Sequence, residues 1–125
     1  MNWDFRDDLP IYSQLIQHIR FAIACGELKP GDRLMSVREM AIEAKVNPNT
    51  MQRALSELER EGLLYSQRTS GRFVTEDILM IDFQKKKLAR EQIEVFFDSM
   101  KRIGIDEAEA LRLISSYKED NDDNS

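Results

Sequence analysis

Between residues 47 and 53 the chain reads Asn47-Pro48-Asn49-Thr50-Met51-Gln52-Arg53. Asn and Gln suit adenine, through paired bonds to its N6 and N7. Arg suits guanine or a phosphate, and Thr a phosphate or a thymine methyl. Met51, Ala54, Leu55 and Leu58 recur at helical spacing and form an inner stripe. That stripe leaves Asn47, Asn49, Thr50, Gln52 and Arg53 pointing away from a core, on the end of a helix that could enter a DNA major groove. The free N–H groups of a helix start also attract phosphates. Asn47 has a second role open to it as N-cap, and the two roles do not exclude each other.

Two further groups belong with these residues. Arg38 lies one step from the inward Val37, on a preceding helix capped by Ser36. Ser36 and Arg38 are candidate phosphate or base-edge contacts; a surface salt bridge from Arg38 to Asp32 or Glu39 is the alternative. Arg68, Thr69, Ser70, Gly71 and Arg72 follow the third helix as a basic, polar hairpin tip. Such a wing can lie in or beside the minor groove, and a merely soluble loop is the plainer reading.

The elements that must position these residues are legible as local signals. Pro10 fits the first turn of a helix with Tyr12, Leu15, Ile19, Ala22 and Ile23 on one side. That helix ends near Cys25-Gly26. Ser36 with Glu39 three residues on is a capping box, and the helix it opens fades at Ala44-Lys45. Asn47 with Pro48 opens the third helix, and Glu61-Gly62 closes it. Residues 63–66 and 72–75 read as strands joined by a loop over residues 67–71. Trp3 and Phe5, in an extended lead-in, dock onto this domain.

Residues 76–82 read as a linker, followed by a long helix from about Phe83 to Arg102. Ala89, Ile93, Phe96, Met100 and Ile103 step by 4, 3, 4 and 3, the period of a helix packed along another helix, and Phe97 widens the stripe. After Gly104, Asp106 caps a last helix with Leu111, Ile114 and Tyr117 on one face. Residues 121–125 read as disordered. The predicted fold is mainly α with a small β-hairpin: a winged helix-turn-helix over residues 1–75, then a linker, a two-helix dimerisation region and an acidic tail over residues 76–125. Ala89, Ile93, Phe96, Phe97, Met100, Ile103, Leu111 and Ile114 are the candidate dimer contacts, because a two-helix appendage covers only part of so much apolar surface.

Composition sets limits. The 125 residues are 42% hydrophobic and 33% charged, as in a soluble globular protein. The net charge of −5 is unevenly placed. Residues 1–75 hold ten basic and ten acidic side chains, and residues 76–125 hold eight and thirteen. No apolar run approaches the roughly 20 residues that span a bilayer, and no signal-peptide pattern is present. One cysteine, Cys25, and one histidine, His18, make no metal set, and no glycine loop suited to phosphates is present. The expectation is therefore a cytoplasmic protein that is not an enzyme and has no cofactor. A C-terminal part of about 50 residues is too small for a metabolite pocket with its own core, which leaves a small-molecule effector room only at a dimer interface.

Several segments in order now carry a resemblance. They are Leu9-Pro10-Ile11-Tyr12-Ser13-Gln14-Leu15, Gly26-Glu27-Leu28-Lys29-Pro30-Gly31-Asp32-Arg33-Leu34, Ser36-Val37-Arg38-Glu39-Met40-Ala41, Val46-Asn47-Pro48-Asn49-Thr50, the run from Ala54 to Leu63, and Gly71-Arg72-Phe73-Val74. Together they resemble the GntR family of bacterial transcriptional regulators, and the Asn-Pro-Asn-Thr start resembles its YtrA subfamily. The resemblance implies double-stranded DNA as partner, with contacts from Arg38, Asn47, Asn49, Thr50, Gln52, Arg53 and the wing near Gly71. It implies a homodimer paired through a short C-terminal region, and a repressor of nearby genes, often those of ABC transporters. Met35, Gln52 and Thr69 stand where the family often has Pro, Arg and Gly. The competing reading is a winged-helix module that docks proteins rather than DNA.

Overall fold

The computed structural model describes residues 1–123. Five helices and one hairpin follow in the order α1 Ile11–Ala24, α2 Val37–Ala44, α3 Pro48–Arg60, β1 Leu64–Gln67, β2 Gly71–Val74, α4 Ile78–Arg102 and α5 Glu107–Asp123. They divide into two compact units, Met1–Lys86 and residues 87–125.

In the first unit the helix boundaries have local causes. Pro10 occupies the N-cap position of α1, one residue earlier than the sequence suggests. Ser36 Oγ accepts from the Glu39 N–H at 3.1 Å and opens α2. The capping box is half made: Glu39 Oε1 takes the Ser36 hydroxyl at 3.2 Å instead of a backbone N–H. Asn47 Oδ1 accepts from the Asn49 N–H at 2.7 Å and opens α3, with Pro48 at its first position.

The turn between α2 and α3 is made by Lys45, at φ 59. Val46 N–H donates to Ala41 O at 3.0 Å and Lys45 N–H to Ile42 O at 3.2 Å, the double bond of a Schellman ending. That conformation normally takes glycine, because a Cβ there crowds the carbonyl. Gly104 ends α4 with the same pair of bonds, Ile105 N–H to Met100 O at 2.9 Å and Gly104 N–H to Lys101 O at 3.0 Å.

The core of this unit gathers Leu15, Ile16, Ile19 and Ile23 of α1, Met40, Ala41 and Ala44 of α2, and Met51, Ala54, Leu55 and Leu58 of α3. Leu34, Leu63, Leu64 and Val74 complete it, and Trp3 and Phe5 pack against it as the lead-in was expected to. His18 lies among the aromatic rings of Trp3 and Phe5, and its Nε2 is 3.0 Å from Asp4 O. It is a packing residue.

Three expectations shift. The strands run one residue later at β1 and one earlier at β2, with Leu64 opposite Val74 and Gln67 opposite Gly71. This leaves a three-residue loop, Arg68-Thr69-Ser70. Helix α4 begins at Ile78, so residues 78–82 are its first turns and not linker. Asp77 opens it, with Oδ1 accepting from Met80 N–H at 3.2 Å, and Met80 and Ile81 pack against the core. Finally α5 continues to Asp123, so residues 121–123 are helical and not disordered. Residues 124–125 lie outside the described residues.

In the second unit Asp106 Oδ1 accepts from Glu109 N–H at 2.8 Å and caps α5, as the sequence suggests. Phe96, Met100, Ala110, Leu113, Ile114 and Tyr117 line one open apolar groove of about 460 Å³. Among the described residues no helix is long and apolar enough to cross a membrane.

Candidate nucleic-acid interface

Helix α3 advances about 100° per residue, so Met51, Ala54, Leu55 and Leu58 fall on one side and Asn49, Gln52, Arg53 and Ser56 on the other. The first set is buried and the second exposed. Thr50, half-buried, flanks the outer set. At the start of the helix Pro48 has no N–H, Asn49 N–H is held by Asn47, and Met51 N–H donates to Asn47 O at 3.1 Å. Thr50 N–H is therefore the amide of this turn left for an anion, among the described residues.

Two outward side chains already have neighbours within the protein. Gln52 Nε2 donates to Ser56 Oγ at 3.1 Å, which aligns the amide along the helix surface. The Arg53 guanidinium sits 4.8 Å from the ring centroid of Tyr12 on α1. A cation–π contact at such an exposed place is worth about 0.5–1 kcal/mol, small enough to be exchanged for a phosphate or base. Arg38 is exposed and makes neither of the salt bridges considered for it: Asp32 Oδ2 accepts from Lys29 N–H and Glu39 from Ser36. At the far end of α3 the guanidinium of Arg60 hydrogen-bonds Glu57 and holds that carboxyl below its ordinary pKa, away from these residues.

The hairpin has two unlike faces, because side chains alternate along each strand. Leu64, Val74, Ser66 and Arg72 share the face toward α3. Arg72 is only 15% exposed, its Nη2 lies 3.4 Å from Glu59 Oε2, and its Nε is buried without a partner. Arg72 thus ties the wing to α3, where the sequence suggests a cation at the tip. Tyr65, Phe73, Gln67 and Gly71 share the other face, and the Tyr65 and Phe73 rings stack with centroids 5.6 Å apart.

A groove of about 440 Å³ lies between the start of α2, Gln52 and the wing. It brings together Ser36, Gln52, Arg68, Thr69, Gly71 and Arg72 from the predicted set. Arg38 and Arg53 are not part of its lining, and neither are Asn47, Asn49 and Thr50. Ser36 Oγ is committed to its helix cap, so what it offers the groove is a fixed edge.

One residue escaped the sequence reading. Residues 31–34 run beside β2 through an isolated β-bridge: Gly31 N–H donates to Val74 O at 3.0 Å, Val74 N–H to Asp32 O at 2.9 Å and Leu34 N–H to Arg72 O at 2.9 Å. Arg33 sits opposite Phe73 in this bridge and is exposed. Its only sequence signal is a basic residue just after the Pro30-Gly31 turn.

Comparison with known proteins agrees with this geometry. Residues 11–74 match the family model of bacterial regulatory proteins, gntR family. The chain is 44% identical over 119 residues to the HTH-type transcriptional regulator YhcF of Bacillus subtilis (strain 168), covering 95% of this chain and 98% of that one. It is 37% identical over 103 residues to the HTH-type transcriptional repressor YtrA of the same strain, covering 82% and 75%. Among solved structures, a GntR family transcriptional regulator from Listeria monocytogenes superposes with a TM-score of 0.80 at 36% identity, covering 90% of this chain and 98% of that one. The DNA-binding domain of AraR, in complex with operator ORR3, superposes with a TM-score of 0.51 at 29% identity over 60% of this chain and 88% of that one. With the winged helix-turn-helix, the family match over half of its length and relatives that span most of it, the chain belongs to the GntR family of bacterial regulatory proteins and to its YtrA-like members.

Proposed function

We propose that the protein is a homodimeric transcriptional repressor that works in the cytoplasm and binds a two-fold symmetric operator in double-stranded DNA. The observation that carries this is the outward face of α3, where Asn49, Gln52 and Arg53 stand opposite the buried stripe. Asn49 and Gln52 read base edges in the major groove, and Asn47, Thr50, Arg53 and Arg38 hold phosphates beside them. Ser36 and the wing residues Arg68, Thr69, Ser70 and Gly71 line the approach to the neighbouring backbone, and Arg72 holds that wing against α3. Regulation of a nearby transporter operon follows from the family resemblance alone.

Pairing is assigned to residues 76–125, with the winged domain over residues 1–75. Ala89, Ile93, Phe96, Phe97, Met100, Ile103, Leu111 and Ile114 form the shared apolar face. Two copies of α3 then meet half-sites about one helical turn apart, roughly 10 base pairs. One protomer reads too few base pairs to find a site in a genome, and symmetric pairing supplies the missing discrimination.

The test is selection of bound duplexes from random DNA, followed by mobility shifts across salt concentration. An inverted repeat should be enriched and protected by two protomers. Gln52→Ala and Asn49→Ala should each relax preference at one position by roughly 1–3 kcal/mol. No enriched duplex, or binding that ignores salt, would leave the protein-docking module as the better reading.

A further inference from the structure

The wing of this protein carries its cations in an arrangement that the hairpin sequence does not suggest. Arg72, two residues from the loop, points to the α3 face and is engaged by Glu59. Arg33 lies on the opposite face: it is bridged to Phe73, and Phe73 and Gly71 are two residues apart on one strand, so all three share a side. A Cβ built on Gly71 would stand 3.3 Å from Arg33 Nε and 3.6 Å from its Nη2. The guanidinium of Arg33 therefore lies across the backbone of Gly71, at the hairpin tip. Arg33 is exposed and has no hydrogen bond or ion pair among the described residues.

We infer that Arg33 is the cation the wing tip presents to the DNA backbone, and that Arg72 instead positions the wing. This rests on the DNA-binding reading above and adds to it a residue contributed from outside the hairpin. The geometry supports it in three ways. The bridge to β2 fixes the Arg33 backbone through Leu34 N–H and Val74 N–H, so little ordering of the main chain remains to be done on binding. A guanidinium is a planar fork suited to phosphate oxygens, and this one has no internal acceptor to give up. The lack of a side chain at Gly71, which its φ of 105 also favours, is what lets the guanidinium lie so close to the tip.

The experiment compares the full chain with Arg33→Gln, Arg33→Lys and Arg72→Gln, on a duplex that the wild-type protein selects from a random library and on an unrelated duplex. Arg33→Gln should weaken binding to both duplexes by about tenfold, as for loss of one charged hydrogen bond. The plot of log affinity against log salt should become shallower by about 0.9, the share of one phosphate contact. Its thermal melting should match wild type. Arg33→Lys should restore the wild-type slope, because an ammonium also neutralises a phosphate. Arg72→Gln should lower the melting temperature and keep the wild-type slope.

An Arg33→Gln protein with the wild-type slope would overturn the inference, whether or not its affinity fell. So would an Arg72→Gln protein that melts like wild type and loses the phosphate slope. A wild-type protein that enriches no duplex would overturn the DNA-binding reading itself, a result distinct from either of these.

Discussion

The two units of this protein bury their apolar residues to very different extents. In Met1–Lys86, Leu15, Ile19, Met51, Ala54, Leu58 and Val74 are wholly shielded from solvent, drawn from α1, α3 and the hairpin, and Met40, Ala41 and Ala44 of α2 are buried beside them. In the second unit only Leu88 and Ala110 are buried among the described residues. Ile93, Ile103, Leu111, Leu113 and Ile114 stay exposed, Ile103 at 71%. Apolar surface left in water forfeits about 25 cal/mol per Å². The first unit has closed its core within one chain, whereas the second offers a surface that gains most from a second copy. On the dimeric reading proposed above, the two regions divide their tasks: one presents side chains from a finished scaffold, and the other is completed by association.

The largest effect should come from breaking the second surface. Replacing Phe96 and Met100 together by glutamates should give a monomer in sedimentation. It should also weaken operator binding by about 10²–10⁴-fold, because half-sites are then bound independently. A double variant that sediments as a dimer would refute the division drawn here. A matched pair of substitutions sharpens it. Leu55→Ala, at a site 1% exposed, should cost about 2–5 kcal/mol in denaturant unfolding. Leu111→Ala, at a site 52% exposed, should cost within about 0.5 kcal/mol in the monomeric background and more in the dimer. Equal costs in the monomer would mean that α5 closes a core of its own.

The smallest effect lies inside the finished unit. Lys45 holds a left-handed conformation that Gly104 holds freely at the end of α4. Lys45→Gly should therefore raise the stability of the first unit by about 1 kcal/mol, less the entropy that glycine adds to the unfolded chain. Thermal melting would show it, and a lower melting temperature would mean that the lysine side chain supports the turn.

Much of this was legible in local chemistry. Ser36, Asn47 with Pro48, and Asp106 announce helix starts through groups that act within three residues, so they place α2, α3 and α5 well. The inner stripe of α3 likewise orients Asn49 and Gln52. What failed depended on distant partners or on ambiguous pattern. Ile78-Leu79-Met80-Ile81 is a continuous apolar run, which periodicity cannot assign to a helix, although Asp77 before it is a fair cap. The hairpin register is as the sequence suggests, and only the strand ends move one residue toward the tip, because Gln67 and Gly71 pair instead of joining the loop. The contacts of Arg72 with Glu59 and of Arg53 with Tyr12, 13 and 41 residues away, form only on folding and have no local signal. Nothing local signals the bridge of Arg33 to Phe73.

The three-residue tip of the hairpin has a further consequence. Arg68 and Thr69 are exposed there, and Arg68 is a residue after which trypsin cuts. Loop tips of small and polar residues are where proteases enter folded domains. A duplex covering the tip would shield that bond, while cleavage at Arg38 or Lys45 requires a helix or a tightly bonded turn to open first. The rate of the cut at Arg68 then becomes a clock for occupancy: fast in free protein, slow on DNA, with the fragments that end or begin there marking which molecules were unbound.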